Sequence, residues 1–137
     1  MAQASRLKMA QAIYSRFTLA EVNAGETIVA AEPGIAYRIV DVTLIAVGGA
    51  AATGTSVDII GTRSGSEVRP IVAAVAALTE DAVVKPDTAN VTVLAAGASF
   101  TLLDENTAIT IGKQSGGSNI ATSTHFDVIL TYTAEEE

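Results

Sequence analysis

The chain has 137 residues, the length of one domain, with a net charge of −7 and 17% charged residues, against about 25% in an ordinary soluble domain. It contains no cysteine, which excludes a disulfide framework, thiolate metal sites and cysteine catalysis, and no Trp. The core is therefore aliphatic, drawn from 25 Ala, 14 Val, 12 Ile and 8 Leu, while the acidic balance argues against a nucleic-acid partner.

Residues 1–12 (MAQASRLKMAQA) read as an N-terminal arm, either an unstructured terminus or a basic segment that orders on a partner. Arg6, Lys8 and Arg16 give the first 16 residues a local charge of +3 with no acid, whereas the chain ends in the acidic tail Glu135-Glu136-Glu137. The three cations are the candidate partner-binding residues. The terminus lacks the uninterrupted apolar run of a secretory signal, because Gln11, Ser15 and Arg16 break it. No stretch is long and apolar enough for a transmembrane helix, so no membrane partner is expected.

From residue 13 the pattern is that of strands. Ile13, Phe17 and Leu19 share one parity of a first strand, and Val22-Asn23-Ala24-Gly25 reads as a turn. Glu26–Ala30 is a short strand, followed by the turn Glu32-Pro33-Gly34. Tyr37–Val47 is the longest strand, with Val40, Val42, Leu44 and Ala46 on one face and Ile39, Asp41, Thr43, Ile45 and Val47 on the other. Two partly apolar faces imply cover on both sides, as in a sandwich pressed against a partner.

After the small-residue loop Gly48–Gly54 come a strand at Thr55–Thr62 and a turn at Ser64-Gly65-Ser66. Glu67–Leu78 fits either a buried strand or a short Ala-rich helix. Pro70 suits the first turn of a helix, but the β-branched residues favour the strand. Further strands are expected at Asn90–Ala95, Ser99–Leu103 and Thr107–Gly112. The last, Thr124–Thr133, alternates Phe126, Val128, Leu130 and Tyr132 with polar positions over ten residues. The expectation is an all-β fold, an antiparallel β-sandwich or jelly roll of about eight strands in one domain over 13–134.

No constellation points to catalysis. His125, the single histidine, shares a strand face with Asp127, but no nucleophile stands beside it within the strand and no second histidine would complete a metal site. Glu80-Asp81 and Asp104-Glu105 lack the aromatic platforms of a glycosidase and the ligand spacing of a calcium loop. Asp104-Glu105-Asn106 reads as turn chemistry. The loops at Gly48-Gly49 and Gly112–Gly117 lead into no helix that would cradle phosphate. The chain is expected to be no enzyme and to use no cofactor or metal.

The segments "PGIAYRIVDVTLIAVGGAAATGTSVDI", "AVAALT", "ENTAITIGKQSGG" and "THFDVILTY" resemble the jelly-roll cement, or head-decoration, proteins of tailed bacteriophages. The resemblance spans about residues 13–133 and rests on texture and size, with no catalytic motif to carry over. It implies a virion protein made in the host cytoplasm that binds the capsid exterior as a homodimer or homotrimer and stabilises the major capsid protein lattice. The basic arm is then expected to meet an acidic capsid surface or a neighbouring copy. The rival expectations are a tail or neck structural protein, or a fibre-type jelly-roll module for glycans or a receptor.

Overall fold

The computed structural model describes residues 10–93 and 101–136. Its frame is the last strand, whose every second side chain is buried: Phe126, Val128, Leu130 and Tyr132. This strand pairs antiparallel on both sides, so its apolar stripe forms the middle of a sheet.

In chain order the elements are β1 (Ala10–Thr18), α1 (Leu19–Ala24), β2 (Glu26–Val29), β3 (Ile35–Val47), β4 (Ser56–Arg63), β5 (Ser66–Ala74), a 3-10 turn at Val75–Ala77, β6 (Val91–Val93), β7 (Ile109–Lys113) and β8 (His125–Glu136). The strands form two antiparallel sheets packed as a sandwich, one of three strands in the order β1-β8-β3 and one of five in the order β2-β7-β4-β5-β6. The pairs β1·β8, β2·β7 and β4·β5 are nested, the wrapping of a jelly roll. The nesting departs from that pattern at β3 and β6. The free side of β3 takes backbone bonds from Val84 and Asp81, while β6 joins β5.

The core lies between the sheets. Phe126, Leu130, Leu44 and Val42 come from one side and Ile59, Ile71, Ile109 and Ile111 from the other. Tyr37 and Tyr132 meet edge to face, ring centroids 5.4 Å apart, and the Tyr37 hydroxyl donates to the Ala30 carbonyl at 2.7 Å. That satisfies the one polar atom of a buried aromatic ring.

Several expectations are corrected. Residues 10–12 belong to β1 rather than to an arm, and Glu135 and Glu136 belong to β8 rather than to a tail. The first strand stops at Thr18, and the expected turn at Val22–Gly25 is a short helix with Val22 fully buried. Thr18 closes a capping box: its hydroxyl accepts from the Glu21 N–H at 3.2 Å, and the Glu21 carboxylate accepts from the Thr18 N–H at 2.8 Å. In β3 the register slips between Ile39 and Asp41. The bulge reverses parity, so Tyr37 and Ile39 are buried before it, Val42 and Leu44 after it, and Val40 is exposed. Residues 101–103 are not a strand, although buried Leu103 bonds through its N–H to the Tyr37 carbonyl. Glu67–Leu78 is strand as far as Ala74 and ends in the 3-10 turn. Residues 94–95 and 99–100 of two expected strands lie outside the described residues.

Candidate docking face

The register of the three-stranded sheet fixes which side chains point away from the core. Row by row across β1, β8 and β3, they are Thr18, His125 and Val47; then Arg16, Asp127 and Ile45; then Tyr14, Ile129 and Thr43; then Ala12, Thr131 and Asp41. Tyr14 and Ile129 stand directly opposite each other, 59% and 40% exposed, and Val40 adds a third exposed apolar side chain at the bulge. The result is an apolar patch on the outer side of this sheet.

The charges on this face are matched. Arg16 binds Asp127 with two bonds, Nε to Oδ1 at 2.7 Å and Nη2 to Oδ2 at 2.9 Å, and the Tyr14 hydroxyl donates to the same Oδ1 at 3.1 Å. The Arg16 guanidinium holds the Asp127 carboxyl below its usual range, against the opposing effect of burial, and the carboxylate in turn raises Arg16. Lys85 reaches onto the face to bond Asp41 at 2.8 Å and the Thr43 hydroxyl at 3.0 Å. Arg38 pairs with buried Glu135 at 3.0 Å, and the Thr133 hydroxyl donates to the same carboxylate. Each of these three cations is answered by a carboxylate, so the face is close to neutral on a chain of net charge −7.

Arg6 and Lys8 lie outside the described residues, whereas Arg16 sits in mid-strand with its guanidinium engaged. His125 lies on the same face, but both oxygens of its neighbour Asp127 are taken by Arg16 and Tyr14, and the Ser123 hydroxyl donates to the Gly49 carbonyl. Asp104 accepts from the Ser64 and Gly65 N–H groups at 2.9 and 2.8 Å. Those two bonds hold its carboxyl below the usual range and clamp the β4–β5 turn. Glu80 forms a bridge beside Ala46, and Asp81, at φ +62°, donates its N–H to the Ala46 carbonyl.

The glycine loop after β3 is shaped by close approach. A Cβ on Gly48, at φ +75°, would fall 2.3 Å from the Thr124 hydroxyl oxygen. That loop closes against the entry to β8, where the Thr124 N–H donates to the Val47 carbonyl at 2.8 Å.

A hollow of about 220 Å³ near α1 and β7 contains Arg69 and Lys113. Both are engaged within the chain: Arg69 with Asp58, Glu67 and the Lys113 carbonyl, and the Lys113 ammonium with the Gly117 carbonyl. Among the described residues no cluster of three His, Asp or Glu side chains is placed to hold a metal ion, and no helix is long and apolar enough to cross a membrane.

Comparison with protein-family models, curated proteins and solved structures finds no match. The functional reading therefore rests on the chain's own chemistry.

The face escapes sequence reasoning in part because Arg16 and Asp127 are 111 positions apart and meet only through the β1–β8 register. The mixed outer residues of β3, Thr43, Ile45 and Val47, were its legible sign.

Proposed function

We propose that this chain is a non-catalytic structural protein of a virus particle, a cement protein that docks on the outside of a tailed-phage head as an oligomer and stabilises the major capsid protein lattice. The observation that carries the reading is the outer face of the three-stranded sheet: apolar around Tyr14 and Ile129, with its ion pairs matched internally. Such a face suits a broad, weakly charged surface better than a small ligand or a polyanion. The sandwich and the sequence resemblance support the same reading.

The mechanism is mass action with multivalency. Many copies each bury a modest area on the closed shell and little on free capsid subunits, so occupancy favours the assembled lattice. The basic residues Arg6 and Lys8 then reach an acidic capsid surface or a neighbouring copy. Removing residues 1–9, which leaves β1 whole, lowers head occupancy more at low salt than at high salt if they do so.

The deciding experiment is co-sedimentation of the purified protein with heads stripped of it, followed by thermal or mechanical rupture. Saturable rebinding at a fixed copy ratio, with rupture moved to harsher conditions, is the expected result. Absence of rebinding overturns the capsid reading in favour of a tail or neck location.

A further inference from the structure

We infer that the free edge of β1 is a self-association site, where a second copy of this chain pairs antiparallel about a twofold axis through Tyr14. The inference deepens the self-association contained in the proposed function and rests on it to that extent, but its test needs no capsid.

A sandwich of two open sheets has four edges, and three of these are protected. β2 is four residues long with an irregular register between Thr27 and Val29, and β6 has three residues among those described. The outer side of β3 is bulged at Val40 and covered by backbone bonds from Asp81, Val84, Leu103 and Asn106. Short strands, bulges and covering segments are the usual means of blocking edge pairing. Among the described residues β1 has none of them. It pairs with β8 through nine consecutive residues without a break, and it contains no Pro, no Gly and no Lys. Its only charge, Arg16, is neutralised by Asp127. Among the described residues no strand lies on its other side.

The sequence of the strand fits a copy of itself. Tyr14 is the midpoint of Ala10–Thr18, so a twofold axis there aligns the whole strand. Outward-facing Ala10 meets Thr18 of the second copy, Ala12 meets Arg16, and Tyr14 meets Tyr14. On the inward face Ile13 meets Ser15. Ala12 and Ser15 leave room for the larger Arg16 and Ile13, Gln11 meets Phe17, and no like charges are directly opposed. The two three-stranded sheets become one sheet of six, and the Tyr14–Ile129 patches join across the axis. Each chain carries −7, but the strands brought together contain no carboxylate. A pairing this small lies near the lower end of stable interfaces, so the dimer dissociates on dilution.

The test uses the full chain, which has no native cysteine. Sedimentation velocity over a dilution series from millimolar to micromolar is expected to show a monomer–dimer equilibrium. Directly opposed residues have Cα atoms about 4.5–5.5 Å apart, within disulfide reach, so Tyr14→Cys cross-links rapidly under mild oxidation. Ala10→Cys does not, because it would lie about 27 Å from its symmetry mate at about 3.4 Å per residue. Tyr14→Lys opposes two ammonium groups on the axis and raises the dimer dissociation constant at least tenfold, with a far-UV circular dichroism spectrum matching that of the parent chain confirming the fold. A chain that stays monomeric, a trimer, or equal cross-linking at both positions overturns the inference. A monomer that still rebinds heads overturns it while sparing the capsid reading, and a dimer that ignores heads does the reverse.

Discussion

The Arg69 guanidinium lies across the carboxylate of Asp58, Nη1 to Oδ2 at 2.5 Å, although Asp58 is 1% exposed. Asp58 alternates with the core residues Val57 and Ile59, so it faces outward from the five-stranded sheet and owes its burial to what covers it. The Ser56 hydroxyl donates to its second oxygen at 2.6 Å. Burial would lower the Arg69 pKa, but the hydrogen bonds to Asp58 and Glu67 outweigh it and hold the guanidinium above its usual value. Removing one partner strands a buried charge, so Arg69→Ala is expected to cost about 3–5 kcal/mol. The double change Arg69→Met with Asp58→Leu costs much less, because it removes both charges and keeps the volume. Urea unfolding of the two variants checks this, and equal losses would refute it.

Two carboxylates link stability to acid. Asp127 is lowered by Arg16 and Asp104 by the Gly65 and Ser64 N–H groups, so each favours the folded state when ionised. Their contribution is present above the unfolded carboxyl pKa of about 3.9 and is lost as pH falls through the lower folded values. Arg16→Gln returns the Asp127 carboxyl toward the ordinary range, and Asp104→Asn flattens the acid limb of the stability curve. Carboxyl titration by NMR reads the first effect and pH-dependent denaturation the second. An Asp127 titration unmoved by Arg16→Gln would show that the ion pair does not set it.

The capping box at Thr18 and Glu21 joins the end of β1 to α1, whose Val22 is fully buried. Thr18→Ala loses the hydroxyl acceptor of the Glu21 N–H and is expected to cost about 1 kcal/mol. Thr18→Ser retains the acceptor and costs little. Denaturation midpoints at constant slope make the comparison.

That helix shows where sequence pattern succeeds and where a competing pattern hides it. The Thr-x-x-Glu spacing at 18–21 is a start signal for a helix, but Phe17 and Leu19 continue the parity of the strand and obscure it. The alternation from Phe126 to Tyr132 is legible because β8 lies mid-sheet with one buried face throughout. Strict alternation fails in β3, because the bulge reverses which face Val40 presents and leaves no compositional mark. The ambiguity of 67–78 has a physical basis too: Val75–Ala77 does turn helically once the strand has ended at Ala74. Of the docking face, the mixed character of β3 was visible. The ion pairs that neutralise the face depend on register between distant strands.

Gly48 is fixed by two constraints at once. Its φ of +75° disfavours any side chain, and a Cβ would also lie 2.7 Å from the Thr124 Cβ. Gly48→Ala is therefore expected to destabilise by roughly 2 kcal/mol or more, combining backbone strain with the clash. Adding Thr124→Gly removes the clash but not the strain, so it recovers part of the loss. A double-mutant cycle by thermal unfolding measures that coupling. Strict additivity would mean that the two sites do not press on each other.

Ile129 separates folding from docking. Its side chain is 40% exposed at the centre of the outer face, on the strand whose opposite side builds the core. Ile129→Ser leaves core packing untouched and is expected to cost about 1 kcal/mol of cross-strand packing and strand propensity. Ile129→Lys places an unmatched charge where each neighbouring charge has a partner, and burying it against a capsid surface is costly. Binding to stripped heads should therefore weaken modestly for Ile129→Ser and at least tenfold for Ile129→Lys, with both variants remaining folded. Parent-like rebinding by a folded Ile129→Lys chain would move the docking surface off this sheet.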